Sequence, residues 1–201
     1  MRLAQFEKDG NRGVGLVCGT SAVPISDVGG HAGLDMIDII LRWDMLAGKF
    51  SGELAAHGFD LDEIRLLPPV MRPRKILTIG LNYRDHIEES GLAIPEYQTW
   101  FCKQPNAING PYDPVEMPKV SSALDYEVEL VAIIGRAGRH IARTDAPAHV
   151  FGYCVGNDVS VRDWQLRTPQ WMLGKSFDSH APIGPWIVTR DEIADPPTAW
   201  T

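Results

Sequence analysis

The stretch that most constrains this chain is Ser122-Ala123-Leu124-Asp125-Tyr126-Glu127-Val128-Glu129-Leu130-Val131-Ala132-Ile133-Ile134-Gly135. It is rich in β-formers and alternates in polarity. In a strand, alternate side chains share a face, so Asp125, Glu127 and Glu129 line one side and Tyr126, Val128 and Leu130 the other. Neighbouring carboxylates are then about 6–7 Å apart at the backbone. The run passes into the apolar Val131-Ala132-Ile133-Ile134, which predicts a strand buried on both faces further along. Carboxylates at the mouth of such a strand are costly when desolvated and unpaired, and they raise one another's pKa. A divalent cation removes both problems. The alternative is an edge strand whose acidic face meets water.

A second acidic position tips the balance. Phe151-Gly152-Tyr153-Cys154-Val155-Gly156-Asn157-Asp158-Val159-Ser160 reads as an apolar strand with Asp158 at its end. Glu127, Glu129 and Asp158 make three hard oxygen ligands, suited to Mg²⁺ or Mn²⁺ with water and substrate oxygens completing an octahedron. A structural zinc site would use Cys or His. Cys18, Cys102 and Cys154 lie too far apart for zinc or a disulfide framework and are expected to be buried free thiols.

Composition narrows the function classes. The chain has 201 residues, 44% hydrophobic and 22% charged, enough for one good-sized domain or a small domain joined to a medium one. A net charge of −7 gives no electrostatic footprint for nucleic acid or an anionic membrane. The longest apolar run, 130–134, is far short of the ~20 residues a bilayer span needs. The start, Met1-Arg2-Leu3-Ala4-Gln5-Phe6-Glu7-Lys8, turns polar too early for a signal peptide, so a cytoplasmic location is expected.

Along the chain, Leu3 to Phe6 and Gly13 to Cys18 flank the turn Asp9-Gly10-Asn11 and read as a β-hairpin. Met36, Ile37, Ile39, Ile40, Trp43 and Leu46 recur at helical spacing over 34–47, a second helix is expected over 50–57, and 64–67 reads as extended. His31 and His57 are isolated and are assigned surface or loop roles. Three prolines in Leu67-Pro68-Pro69-Val70-Met71-Arg72-Pro73 mark a boundary between a small N-terminal domain, 1–70, and a larger one, 71–201. Beyond it, 75–80 is a strand, 82–89 a helix ending at Gly91, and the rest many short strands. The fold class is α+β, mainly β.

Two further constellations carry chemistry. On the expected helix, His86 and Glu89 are i, i+3 neighbours, and a carboxylate beside an imidazole can fix its tautomer and let the pair take a proton from water. After Asp158, Arg162 and Gln165 share the same spacing, and Gly174-Lys175-Ser176 supplies a lysine in a turn. A phosphate loop would need glycine five residues before Gly174, where Pro169 stands, so Lys175 and Arg162 are candidates for a substrate carboxylate or enolate instead.

These residues belong to an ordered set. Ile79-Gly80-Leu81-Asn82-Tyr83 with His86 and Glu89, Phe101-Cys102-Lys103-Gln104-Pro105, Asp125-Tyr126-Glu127-Val128-Glu129-Leu130, Gly152-Tyr153 through Asn157-Asp158-Val159-Ser160 to Arg162-Asp163 and Gln165, Gly174-Lys175-Ser176-Phe177-Asp178 and Pro182-Ile183-Gly184-Pro185-Trp186 follow one another at the spacing of the fumarylacetoacetate hydrolase family. The chain from about Pro73 onward resembles that family, and residues 1–70 resemble the small N-terminal domain of bacterial members.

The resemblance implies a mixed β-roll catalytic domain, a homodimer and one Mg²⁺ or Mn²⁺ per chain held by Glu127, Glu129 and Asp158. It implies that the His86–Glu89 dyad activates water, that Lys175 polarises the substrate, and that Arg162, Gln165, Tyr83 and Lys103 lie at the substrate. The family continues past the position of Thr201 with a T-G-T-P-x-G loop and the closing strands of the roll, so a C-terminally shortened form is expected. The expected reaction is hydrolysis of a C–C bond in a β-diketo acid, an acylpyruvate such as fumarylpyruvate or fumarylacetoacetate, in aromatic catabolism. Decarboxylation of a 2-oxo acid or isomerisation of a hydroxymuconate on the same metal is the sister reading. A non-catalytic dimerisation module is the alternative from another class.

Overall fold

A computed structural model describes residues 1–28, 33–50, 58–91 and 93–193, with His86, Glu89 and Ser90 described by their backbone. The expected hairpin is β1 (Arg2–Lys8) and β2 (Asn11–Cys18), turning through Asp9 and Gly10, both at positive φ. Then come β3 (Ser21–Pro24), α1 (Met36–Leu41), α2 (Trp43–Phe50), β4 (Phe59–Asp60), β5 (Arg65–Leu67), β6 (Ile76–Gly80), α3 (Arg84–Ser90), β7 (Thr99–Lys103) and β8 (Ile108–Asn109). The chain continues through β9 (Leu124–Asp125), β10 (Val128–Ile134), β11 (Val150–Asn157), β12 (Ser160–Val161), α4 (Arg162–Gln165), α5 (Met172–Lys175) and β13 (Ala181–Thr189). The mainly β class holds. None of the described helices is long and apolar enough to cross a membrane.

One sheet runs in the order β10-β11-β13-β1-β2-β3-β4, with β5 beside β1 and β8 beside β13. Its seam is β13 against β1, where Leu3 faces Ile187 and Arg2 faces Val188. Strands from before and after the proline-rich boundary thus share one sheet. Leu3, Leu16, Ile187 and Phe151 pack under α1 and α2 against Met36, Ile39 and Phe50, and Trp43 meets Phe151 edge-on at 5.1 Å. Ala4, Phe6, Val17 and Leu66 form a second cluster.

Four expectations change. The single helix over 34–47 is two, because Arg42 leaves helical dihedrals (φ −108°, ψ 13°) between them; a capping box joins Asp35 and Asp38 at the start. Residues 51–57 of the second expected helix, and His31 and His57, lie outside the described residues. The acidic strand is broken at Tyr126 and Glu127. The Asp125 carboxylate accepts from the Tyr126 N–H at 2.9 Å and the Asn157 side-chain oxygen from the Glu127 N–H at 3.1 Å, so side chains take the donors a continuous ladder would use. Beyond the break, β10 is not buried on both faces: Val128 and Ile134 are largely exposed, and β10 is the edge strand of the described sheet. Of the cysteines only Cys154 is buried, its thiol pushed up to about 12 by burial, while Cys18 is exposed and Cys102 half-buried.

Candidate metal centre

Strand β11 passes through the core at Phe151 and ends where Asn157 pairs with Val128 of β10. Asp158, the next residue, donates its N–H to the Glu127 carbonyl at 2.8 Å. That bond and the Asn157–Glu127 contact pin the two acidic residues together, and Glu129 follows one register step on, opposite Gly156. The carboxylates of Glu127, Glu129 and Asp158 each offer an oxygen within 4.8 Å of the others. The break before β10 therefore does not scatter the acidic face but folds it inward.

Each carboxylate has its own partner. Asp158, 3% exposed, accepts from the Lys103 ammonium on Oδ1 at 2.6 Å and from the Lys175 ammonium on Oδ2 at 2.9 Å. Glu127 accepts from the Arg162 guanidinium on Oε1 at 2.5 Å and from Lys175 on Oε2 at 2.8 Å. Glu129 bonds the Tyr83 hydroxyl, which in turn accepts from the Leu130 N–H at 3.1 Å. Glu129 has no ion-pair partner among the described residues. Burial, with Asp158 and Glu127 close by, pushes its carboxyl up to about 7. Burial also raises the Tyr83 phenol and lowers the Lys103 ammonium, against the pull of Asp158.

The cations are as deliberately placed. Lys103 ends β7, whose inward face also carries Phe101; the Phe101 ring lies 5.1 Å from the Lys175 ammonium and packs edge-on against Trp171. Arg162 opens α4 and spreads over three acceptors, with Nε and a second nitrogen on Asp125 at 2.9 and 2.7 Å and the third on Glu127 and Gln165 Oε1. Lys175 ends α5, a short helix where a turn was expected, and is 1% exposed. It reaches the centre because Gly174 lets α5 press on α4: a Cβ there would stand 2.3 Å from the Gln165 nitrogen. Gly174→Ala is expected to destabilise by about 1–3 kcal/mol through overpacking. Gly48→Ala, in α2 with open space around it, is expected to stabilise by about 0.5–1 kcal/mol. Thermal unfolding of the two variants checks the opposite signs.

The donor set suits a small hard cation. Four carboxylates, Asp125, Glu127, Glu129 and Asp158, face three cations, Lys103, Arg162 and Lys175, leaving one negative charge uncompensated. The Glu129 carboxyl, raised first by burial and then by Asp158 and Glu127, is where that charge is least favoured. A divalent ion would reverse it and leave the centre one charge positive, ready for an anion.

The structure thus gathers Glu127, Glu129, Asp158, Lys175, Lys103, Arg162, Gln165 and Tyr83 into one cluster. It places His86 and Glu89 on α3, which starts immediately after Tyr83; their side chains lie outside the described residues. Sequence reasoning gave no role to Asp125, which anchors Arg162, or to Ser160, whose hydroxyl bonds the Asp158 carbonyl at 2.9 Å and lies 3.4 Å from Glu127. Asp125 could have been found in the acidic alternation itself; nothing local singles out Ser160.

Comparison with known proteins agrees with this geometry. The family model for the fumarylacetoacetate hydrolase C-terminal domain matches residues 75–201. The human mitochondrial oxaloacetate tautomerase FAHD2A is 48% identical over 136 residues, covering 67% of this chain and 43% of that protein. The chain therefore spans less than half the length of this relative. Maleylpyruvate hydrolase from Sphingobium sp. SYK-6, solved with manganese(II) and pyruvate, superposes with a TM-score of 0.80 at 32% identity, over 98% of this chain and 70% of that one. 2-Hydroxyhepta-2,4-diene-1,7-dioate isomerase from Mycobacterium marinum superposes with a TM-score of 0.70 at 27% identity, over 94% of this chain and 66% of that one. By its sequence blocks, its fold and its clustered carboxylates, the chain belongs to the fumarylacetoacetate hydrolase family.

Proposed function

We propose that this chain carries the metal centre of an enzyme that works on the enol or enolate of a 2-oxo acid, with C–C hydrolysis of an acylpyruvate as its reaction. The observation that carries the reading is the convergence of Glu127, Glu129 and Asp158, which bring one carboxylate oxygen each within 4.8 Å of the others. A bound Mg²⁺ or Mn²⁺ would supply Lewis acidity toward the carboxylate and 2-oxo oxygens of the substrate. Lys175, buried against Phe101, holds a positive charge beside the position where enolate charge develops. His86 and Glu89 move the proton of the attacking water. Arg162, Tyr83 and Lys103 shape the substrate's surroundings through the carboxylates they hold, and Gln165 does so by accepting from the Arg162 guanidinium at 2.9 Å. A homodimer in the cytoplasm is part of the same proposal. The manganese and pyruvate bound to maleylpyruvate hydrolase support the reading.

A second reading, keto–enol tautomerisation of a dicarboxylic 2-oxo acid, is favoured by the 48% identity to a protein named oxaloacetate tautomerase. It shares the enolate and omits the attack of water. Proton NMR with Mg²⁺ separates the two: acylpyruvate split into pyruvate and a free acid supports hydrolysis, and faster equilibration of oxaloacetate enol with its keto form supports tautomerisation. Either activity is expected to vanish with EDTA and return with Mg²⁺ or Mn²⁺. A folded chain that accelerates neither reaction with metal present would overturn both readings.

A further inference from the structure

The two oxygens of Asp158 have different owners. Oδ1 is held at 2.6 Å by Lys103, whose ammonium is fixed a second time by the Val159 carbonyl at 3.0 Å and is itself only 3% exposed. Oδ2 faces the centre, where Lys175 meets it. Glu127 repeats the arrangement, with Arg162 on the outer oxygen and Lys175 on the inner one. An outer cation therefore claims one oxygen of each of these two carboxylates, and the inner oxygens are bridged by Lys175, the ammonium that an entering metal ion would displace.

The geometry points to Lys103 as a specificity-determining positioning residue: by occupying Asp158 Oδ1 it confines Asp158 to one-oxygen coordination and so selects Mg²⁺ or Mn²⁺ over Ca²⁺. The inference rests on reading the three carboxylates as a metal site. Its physical basis is the contrast between the ions. Calcium takes six to eight oxygens at about 2.3–2.6 Å and gains from carboxylates that bind through both oxygens; magnesium demands a tight octahedron at about 2.0–2.1 Å and is satisfied by single oxygens. Calcium would have to pull Oδ1 from Lys103 and leave a buried ammonium without its counter-ion, held only by the Val159 carbonyl, which is strongly unfavourable. Arg162 restrains Glu127 in the same sense but is more exposed and shared among three acceptors, so Lys103 is the stricter of the two.

Titration calorimetry of the whole chain with Mn²⁺, Mg²⁺ and Ca²⁺ tests this, in wild type and in Lys103→Met, which keeps the stem and removes the charge. Wild type is expected to bind Mn²⁺ and Mg²⁺ and to discriminate against Ca²⁺. In Lys103→Met the ratio of calcium to manganese dissociation constants is expected to fall about tenfold or more, the usual size of effect for a residue behind a ligand. A folded variant that weakens all three ions equally would overturn the assignment, since a merely structural lysine shifts affinity without shifting preference. Wild type that binds none of the ions would remove the metal reading, and this one with it. Should Lys103→Met fail to fold, a crystal structure of wild type in calcium decides: Asp158 on the ion through Oδ2 alone, with Lys103 still on Oδ1, supports the role, and Asp158 on calcium through both oxygens refutes it.

Discussion

Asp158→Asn is expected to abolish divalent-ion binding and to lower the melting temperature by roughly 6–20 °C. The carboxylate is 3% exposed and is shared by two equally buried ammonium groups. Asparagine keeps the shape and an acceptor oxygen but not the charge, so two buried cations lose their common counter-ion. Removing one partner of a buried pair costs about 3–5 kcal/mol, and a domain of this size loses about 2–4 °C per kcal/mol. Lys103 retains only the Val159 carbonyl, and Lys175 retains Glu127. Calorimetry reads the first loss and thermal unfolding the second. A variant that melts with wild type would show that Asp158 is not the buried counter-ion described.

The second large effect is on pH. The Glu129 carboxyl is raised from 4.5 to about 7, first by burial and then by Asp158 and Glu127. Between those values the metal-free folded chain holds a proton that the unfolded chain has released. Its stability therefore falls as pH rises through that window and levels off above about 7. Ion binding runs the other way, because the ion needs the carboxylate. At pH 6 roughly one tenth of Glu129 is ionised and at pH 8 roughly nine tenths, so the apparent Mn²⁺ dissociation constant is expected to be about tenfold weaker at pH 6. In Glu129→Gln both trends should flatten. An affinity that does not change between pH 6 and 8 would exclude Glu129 as a ligand that must lose a proton.

Much of this was legible in the residues. The β1–β2 hairpin was readable because Asp9-Gly10 is a turn that tolerates positive φ, and α3 ends where it should because Gly91 adopts the left-handed cap at φ 64°. Glu127, Glu129 and Asp158 were readable because alternation and a strand end are local patterns, and they survive even though the strand breaks between β9 and β10. The break itself was hidden, since it depends on Asn157 reaching the Glu127 N–H from 30 residues away. The pairings Lys103–Asp158 and Arg162–Asp125, separated by 55 and 37 residues, leave no periodicity to detect. They arise only when β7 and α4 are brought against the ends of β10 and β11.

The seam between β1 and β13 has a consequence for how the protein is made. Residue 2 leaves the ribosome long before its neighbour at 188: at about 5–20 residues per second the gap is roughly 10–40 s. During that interval β1 can pair with β2 along one side and with β5 at Gln5–Glu7 on the other, but the Arg2–Leu3 end that takes β13 stays open. The β1 edge of a nascent chain therefore waits for β13, and a chaperone that shields Leu3 over those seconds would cover an apolar strand end that has no partner yet.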